Sequence, residues 1–104
     1  MFLESYSIAP MNRYSAKGST RPINFIYLAP EAKKVSVIGD FNHWRPDANP
    51  MTRMPDGGWF ARIPLHHGHH QYLYLVDGKA VLDPRAQGTS RNAKNEKVSI
   101  IAVS

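Results

Sequence analysis

The sequence VSVIGDFNHW, residues 35–44, joins an apolar strand pattern to a turn that ends in a large aromatic side chain. Gly39 and Asp40 stop the strand, Asn42 favours a turn, and the Arg-Pro-Asp sequence that follows continues as loop. Trp44 is therefore predicted at an exposed strand end, where an indole on a rigid loop stacks on flat, partly apolar ligands such as sugar rings. The alternative is that Trp44 folds down over the edge of the protein and serves only packing.

Length and composition favour one globular domain. The chain has 104 residues, of which 42% are hydrophobic and 11% aromatic, so it can bury one modest core. It contains no cysteine, which excludes disulfides, thiolate nucleophiles and sulfur-ligated zinc and predicts a cytoplasmic location. The first ten residues, MFLESYSIAP, lack the basic start and apolar core of a signal peptide, and no run is long enough for a membrane span.

The net charge of +5 does not by itself indicate a nucleic-acid partner. The basic residues are scattered through the ends and turns of the chain, which is typical of a solvated surface. No recognition-helix pattern and no RNA-binding aromatic signature accompanies them. We therefore expect neither nucleic acid nor membrane as a partner.

Short apolar runs separated by Gly, Pro and Asp predict strands and almost no helix. Residues 1–19 lack periodicity and are predicted to form an N-terminal arm, whereas residues 20–104 are predicted to form the folded module. The predicted strands are residues 23–29, 34–38, 59–63, 69–76, 81–82 and 98–103.

This pattern predicts an all-β protein with an immunoglobulin-like antiparallel β-sandwich. Alternation along strand 69–76 places Tyr72, Tyr74 and Val76 on the core face, and Gln71, Leu73 and Leu75 on the outer face. Trp59 is predicted to lie in the core. The two leucines are covered by the N-terminal arm, or they form a contact patch.

A set of short motifs resembles the family-48 carbohydrate-binding modules. These motifs are GDFNHW, Met54, Gly58-Trp59, Leu65, Gly68, Gln71-Tyr72, Val76-Asp77-Gly78, Asp83-Pro84 and Asn95 before a final strand. Similar modules are the glycogen-binding domain of AMP-activated protein kinase beta subunits and the N-terminal early-set domains of isoamylases and branching enzymes. The resemblance covers about residues 20–103. It implies an early-set β-sandwich that binds α-glucans such as glycogen or starch without catalysis of its own.

The resemblance implies two tryptophan platforms, of which this chain has one. Trp44 matches the tryptophan that follows the Gly-x-Phe-Asn turn. The second tryptophan of the family follows Val-Asp-Gly, and Ala80 occupies its place. Either another aromatic, such as Tyr14 or Tyr27, replaces the missing platform, or the site serves a different partner.

The resemblance also assigns polar sugar contacts. A sugar-binding lysine of the family falls at Leu73, whereas the threonine of its Leu-Gly-Thr segment is kept as Thr89. The sugar-binding asparagine that follows corresponds to Asn92 or Asn95, because the segment is longer here.

The sequence favours neither a metal site, nor a cofactor, nor an enzyme. Four histidines surround Gly68, at positions 66, 67, 69 and 70, but adjacent strand residues point to opposite faces and no nearby carboxylate completes a metal site. A polar turn with weak pH sensitivity is the interpretation we prefer. The acidic residues are spread over turns, whereas a glycosidase needs two opposed carboxylates in a groove.

The hypothesis is a stand-alone, non-catalytic module that binds glycogen or maltooligosaccharide and brings a glycogen-metabolising enzyme, or itself, to the glucan. The alternative is a protein-interaction or self-associating β-sandwich that has lost most sugar binding. In that case Leu73, Leu75 and Ala80 form an apolar patch for a partner protein or a second copy of the chain.

Overall fold

The computed structural model describes residues 19–104, and within this range the chain forms strands and no helix. In chain order the strands are β1 (Arg21–Leu28), β2 (Val35–Gly39), β3 (Thr52–Arg53), β4 (Gly58–Leu65), β5 (Gly68–Val76), β6 (Lys79–Val81), β7 (Gly88–Arg91) and β8 (Lys97–Val103). None of the described residues therefore provides a helix long and apolar enough to cross a membrane. The predicted arm, residues 1–19, lies outside the described residues except for Ser19.

All strand pairs are antiparallel, and they form two sheets. The first sheet has the order β1-β4-β3. The second has the order β2-β5-β8-β7, with β6 pairing the second half of β5 beside β8. The predicted all-β, immunoglobulin-like sandwich is confirmed.

Each predicted strand is present, with its ends within two residues of the predicted ones, but the sequence patterns miss β3 and β7. Both are short and polar, and their side chains are almost entirely exposed. Their pairing with β4 and β8 comes from the backbone, so no apolar alternation marks them in the sequence.

The core lies between the two sheets and is rich in aromatic rings. Phe25 of β1 packs edge-on against Tyr72 of β5 at 5.1 Å between ring centres. Tyr72, Tyr74 and Trp59 are all buried, which confirms the predicted core face of β5 and the predicted place of Trp59. The indole nitrogen of Trp59 donates to the carbonyl oxygen of Ala29 at 2.9 Å, so its one polar atom is paired.

Asp83 links the core tyrosines to the loop after β6. The Tyr72 hydroxyl donates to Asp83 Oδ2 at 2.6 Å, and the Tyr74 hydroxyl lies 3.3 Å from the same oxygen. Burial raises the pKa of both tyrosines well above its usual range, and the neighbouring Asp83 carboxylate raises each pKa further. The Asp83 N–H donates to Ser99 Oγ, which fixes the loop to β8.

The Asp77-Gly78 turn joins β5 to β6 as predicted. Both residues have positive φ angles, 49° and 87°, as a two-residue hairpin of type I′ requires. The Asp77 carboxylate also accepts the N–H groups of Lys33 and Lys34, so the hairpin is fixed to the start of β2. This hairpin places Ala80 directly opposite Leu75.

Candidate functional site

Asn42 organises the turn that presents Trp44. Its side chain is 7% exposed, and its Oδ1 accepts the N–H of Gly39 at 3.0 Å. Its Nδ2 donates to the carbonyl oxygen of Val37 at 2.9 Å and to Asn49 Oδ1 at 2.7 Å. The amide of Asn42 thus joins the end of β2, the turn and the following loop.

The backbone fixes the position of Trp44 as well. Its N–H donates to the carbonyl oxygen of Gly39 at 2.9 Å, and both His43 and Trp44 have a φ of 58°. A Cβ at Gly39 would lie 2.6 Å from the Phe41 ring and 2.7 Å from the Gln71 carbonyl oxygen, so only glycine fits there. The left-handed turn is therefore specified by Gly39 and Asn42, and it leaves the indole half-buried rather than in the core.

A groove of about 490 Å³ lies on the outer face of the second sheet, beside Trp44. Its floor is apolar, because Ile38 and Leu73 lie directly opposite each other in the β2–β5 ladder. Ala80 extends this surface on the neighbouring strand β6. Within the described part of the chain the lining is Ile38, Trp44, Gln71, Leu73, Ala80, Asn92, Ala93, Lys94 and Glu96.

The loop between β7 and β8 forms one wall of the groove, and Asn92 holds that loop together. Asn92 Oδ1 accepts the N–H groups of Lys94 and Glu96, each at 2.9 Å. Asn92 Nδ2 donates to Glu96 Oε1 at 3.1 Å, which leaves one N–H of the amide free of partners among the described residues. Lys94 and Glu96 bring one positive and one negative charge to the groove, and Glu96 is the one carboxylate that the described residues contribute to it.

Four of the six residues predicted from the sequence meet in this groove: Trp44, Leu73, Ala80 and Asn92. Asn95 belongs to the same loop but is not part of the lining, and its carbonyl oxygen accepts a bond from the Arg91 guanidinium at 2.8 Å.

Thr89 lies outside the groove, on the exposed edge strand β7. It pairs with Ser99, whose side chain is fully buried on the inner face of the sheet. Residues directly opposite each other share a face, so Thr89 points to the inner face and Ser90 to the face that carries the groove. Its sugar contact stays a prediction, and it requires a ligand that extends beyond the groove.

Sequence patterns missed three polar residues of the lining: Gln71, Lys94 and Glu96. Alternation along β5 places Gln71 on the same face as Leu73, and this signal could have identified it. Lys94 and Glu96 reach the groove through the fold of a polar loop, for which the sequence holds no periodic signal.

Among residues 19–104, the groove contains one aromatic platform, Trp44. Tyr27, a predicted substitute for the second tryptophan, faces the core, where its ring lies 4.9 Å from that of Tyr74. That prediction is wrong, because the alternation of β1 turns Tyr27 towards the second sheet and away from the groove. The other predicted substitute, Tyr14, lies outside the described residues.

The histidines lie at the start of β5, away from Trp44 but connected to its turn. His70 Nε2 is 2.9 Å from the carbonyl oxygen of His66, and His70 Nδ1 is 3.4 Å from Asp40 Oδ1. Asp40 Oδ2 accepts the N–H of Gln71 at 3.0 Å. Residues 19–104 contain no cluster of three or more side chains that could hold a metal ion.

Comparison with known proteins identifies the family of this chain. The family model described as carbohydrate-binding module 48 (isoamylase N-terminal domain) matches residues 12–98. A 1,4-alpha-glucan branching enzyme GlgB 2 of Xanthomonas campestris pv. campestris is 34% identical over 80 residues, which cover 72% of this chain and 11% of that enzyme. The GlgB enzyme of Oceanobacillus iheyensis is 31% identical over 101 residues, 91% of this chain and 16% of the enzyme. The chain therefore spans only a small part of the length of these relatives.

Proposed function

This chain belongs to the carbohydrate-binding module 48 family, and we propose that it is a non-catalytic module that binds α-glucan in the groove beside Trp44. The observation that carries the proposal is the half-buried indole, held by a fixed turn above the apolar floor of Ile38 and Leu73. Sugar rings have apolar faces and polar edges, and this groove offers an apolar floor with polar walls. Its action as a stand-alone targeting domain stays a prediction.

The single platform sets the expected strength of binding. Covering about half of the ~200 Å² of an indole at about 25 cal/mol per Å² contributes on the order of 2 kcal/mol. A missing second platform costs a similar amount, which is roughly one to two decades of affinity. We therefore propose that this chain binds a short maltooligosaccharide roughly one to two decades more weakly than a module with two platforms.

Hydrogen bonds from the loop wall support the stacking. The free N–H of Asn92 and the ammonium of Lys94 are donors for sugar hydroxyls, and the Glu96 carboxylate is an acceptor. A glycosidase requires a pair of opposed carboxylates, whereas the described residues supply one to this groove. The groove is therefore suited to binding rather than to hydrolysis.

Tryptophan fluorescence tests the proposal directly, because the chain has only two tryptophans. Trp59 is 5% exposed, so a response to added maltoheptaose or β-cyclodextrin reports on Trp44. We expect saturable quenching or enhancement at millimolar sugar, and its loss in Trp44→Ala. Met54→Ala, which removes an exposed side chain at the far sheet, is the matched control and keeps the response. A wild-type protein that gives no response at millimolar sugar overturns the proposal.

The relatives support a proposal for the biological partner. Because they are glucan branching enzymes, we propose that the module brings a glycogen-metabolising enzyme to its polymer. A cytoplasmic location is part of this proposal, supported by the absence of cysteine from the sequence. Retention of the protein on immobilised glycogen, lost in Trp44→Ala, is the expected result of a pull-down.

The competing function is protein binding at the same face. Ala80 is exposed where the family has a second ring, and Leu73 and Leu75 are only half-buried beside it. These three side chains form an apolar surface that a partner protein could cover. The fluorescence titration separates the two functions, because only glucan binding responds to maltoheptaose through Trp44.

A further inference from the structure

Gln71 is the one polar side chain that the described strands contribute to the groove beside Trp44. It lies on β5 two residues before Leu73, so the two side chains share the outer face and stand about 7 Å apart along the strand. The other polar residues of the lining belong to the loop between β7 and β8: Asn92, Lys94 and Glu96. The floor of the groove therefore joins an apolar surface to a single amide.

The backbone of Gln71 is fixed to the turn that carries Trp44. Its N–H donates to Asp40 Oδ2 at 3.0 Å, and its carbonyl oxygen accepts the Asp40 N–H, also at 3.0 Å. On the other side of β5, Ile100 of β8 lies directly opposite Gln71. Because Asp40 belongs to the turn before Trp44, the amide and the indole are held at a fixed separation, which suits two simultaneous contacts with one ligand.

The side-chain amide of Gln71 has no hydrogen-bond partner among residues 19–104. A glutamine amide offers one oxygen acceptor and two N–H donors. The side chain is half-buried, so a ligand that covers the groove also removes water from the amide. A polar group that loses water without gaining a partner costs free energy, so a ligand that binds here has to provide both a donor and an acceptor.

The polar side chains of the loop wall cannot meet this requirement. Asn92 Oδ1 already accepts the N–H groups of Lys94 and Glu96, so the Asn92 amide offers a ligand only a donor. The Lys94 ammonium only donates, and the Glu96 carboxylate only accepts. Within the described part of the chain, Gln71 is thus the one lining side chain that can donate and accept at once.

We propose that Gln71 binds the edge of an α-glucan that carries the 2- and 3-hydroxyls, while a sugar ring stacks on Trp44. This assignment rests on the glucan-binding function proposed above. In a 1,4-linked glucan O1 and O4 form the linkages, so an internal glucose keeps hydroxyls at C2, C3 and C6. The 2- and 3-hydroxyls are neighbours that together provide a donor and an acceptor, which complements a glutamine amide. The 6-hydroxyl stands alone on the opposite edge of the ring.

This pairing makes Gln71 a specificity-determining residue. A site that hydrogen-bonds a hydroxyl discriminates against an analogue in which that hydroxyl is blocked, because the protein group is then left without a partner. The Gln71 side chain is half-buried rather than enclosed, so water can still reach the amide in part. We therefore expect a preference of about fivefold, at the level of one ordinary hydrogen bond.

Two methylated forms of β-cyclodextrin, a ring of α-1,4-linked glucose, test the assignment. One form is methylated at every 2-hydroxyl and the other at every 6-hydroxyl, so the two ligands have equal size. Titration of the full chain, followed by Trp44 fluorescence, is expected to give about fivefold weaker binding of the 2-O-methyl form. Gln71→Met removes the amide and keeps the length of the side chain. It is expected to bind unmodified β-cyclodextrin about fivefold more weakly and both methylated forms within about twofold of each other.

The matched control is His69→Met. His69 lies two residues before Gln71 on the same face of β5 but outside the groove, so this variant keeps both the affinity and the preference of the wild type. If Gln71→Met does not fold, Gln71→Ala takes its place.

Two results overturn the assignment and leave glucan binding intact. One is a wild-type chain that binds both methylated forms equally, and the other is a Gln71→Met variant that keeps the wild-type affinity and preference. A wild-type chain that gives no response to unmodified β-cyclodextrin overturns the assignment together with the proposed function, so the two failures are distinguishable.

Discussion

The Nδ2 group of Asn42 donates a hydrogen bond to the carbonyl oxygen of Val37 across 2.9 Å, which ties the turn before Trp44 to the buried strand β2. The Oδ1 atom of the same side chain accepts the Gly39 N–H, so one amide group both donates to and accepts from the end of β2. The indole therefore depends on the core of the sandwich for its position, and the stability of the fold is coupled to the shape of the groove.

Replacing Asn42 with alanine is expected to destabilise the protein strongly. The change leaves the buried N–H of Gly39 and the buried C=O of Val37 without their partner. Each such group costs about 1–3 kcal/mol, so we expect the free energy of unfolding to fall by about 2–3 kcal/mol in urea denaturation. Asp47→Ala, at an exposed position of the same loop, is the control and is expected to change it by less than about 0.5 kcal/mol. Equal stability of the two variants would contradict this role of Asn42.

The sequence predicts the sandwich because its main strands carry their own signals. Alternation along β5 assigns Tyr72 and Tyr74 to the core, and Asp77-Gly78 specifies a hairpin by its backbone chemistry. β7 carries no such signal, because Gly88–Arg91 is an exposed edge strand held by backbone pairing with β8.

The residues in and near the groove also divide into those whose position the sequence predicts and those whose position it does not. Trp44, Leu73 and Ala80 could be placed from the sequence because a turn, a long strand and a hairpin fix them. Thr89 could not, since the face of an edge-strand residue depends on register, and the pairing with Ser99 turns it to the inner face. The Asn92 side chain orders the loop of Lys94 by local hydrogen bonds, but only the tertiary fold places that loop beside Trp44.

Alkaline pH is expected to unfold the protein through its two core tyrosines. Burial and Asp83 raise the pKa of Tyr72 and Tyr74 in the fold, so both keep their protons above about pH 10, where unfolded tyrosine loses its own. The unfolded state then binds fewer protons, and stability falls as pH rises, by about 1.4 kcal/mol per pH unit for each tyrosine.

Urea denaturation at pH 8, 10 and 11 measures this loss. Stability is expected to be constant below about pH 9.5 and to fall above about pH 10. Tyr72→Phe is expected to show roughly half the wild-type slope, and the double variant Tyr72→Phe/Tyr74→Phe almost none. A double variant with the wild-type slope would assign the alkaline loss to other groups.

The contact between His70 and Asp40 supports the turn before Trp44. His70 Nδ1 lies 3.4 Å from Asp40 Oδ1, and Asp40 Oδ2 accepts the N–H of Gln71 beside the groove. We expect His70→Ala to raise the dissociation constant for maltoheptaose by about twofold, because Asp40 loses one of the contacts that position it. An unchanged dissociation constant in isothermal titration would rule out this link between the histidine and the groove.

Restoring the second platform is expected to strengthen glucan binding. Ala80 is exposed in the lining of the groove, across from Trp44 and beside Leu73, so an indole at position 80 can lie along a bound chain. Ala80→Trp should add on the order of 2 kcal/mol, which lowers the dissociation constant for maltoheptaose by roughly 10- to 30-fold in isothermal titration. The double variant Trp44→Ala/Ala80→Trp should bind about as weakly as wild type, because each platform contributes separately.

The control for Ala80→Trp is the same enlargement at the neighbouring position. Lys79 precedes Ala80 in β6 and points to the opposite face, so Lys79→Trp adds an equal apolar area outside the groove. It should leave the affinity within about twofold of wild type, a difference of about 0.4 kcal/mol. Equal gains from both substitutions would indicate nonspecific adsorption to indole, whereas no gain from Ala80→Trp would mean that the glucan does not run from Trp44 towards β6.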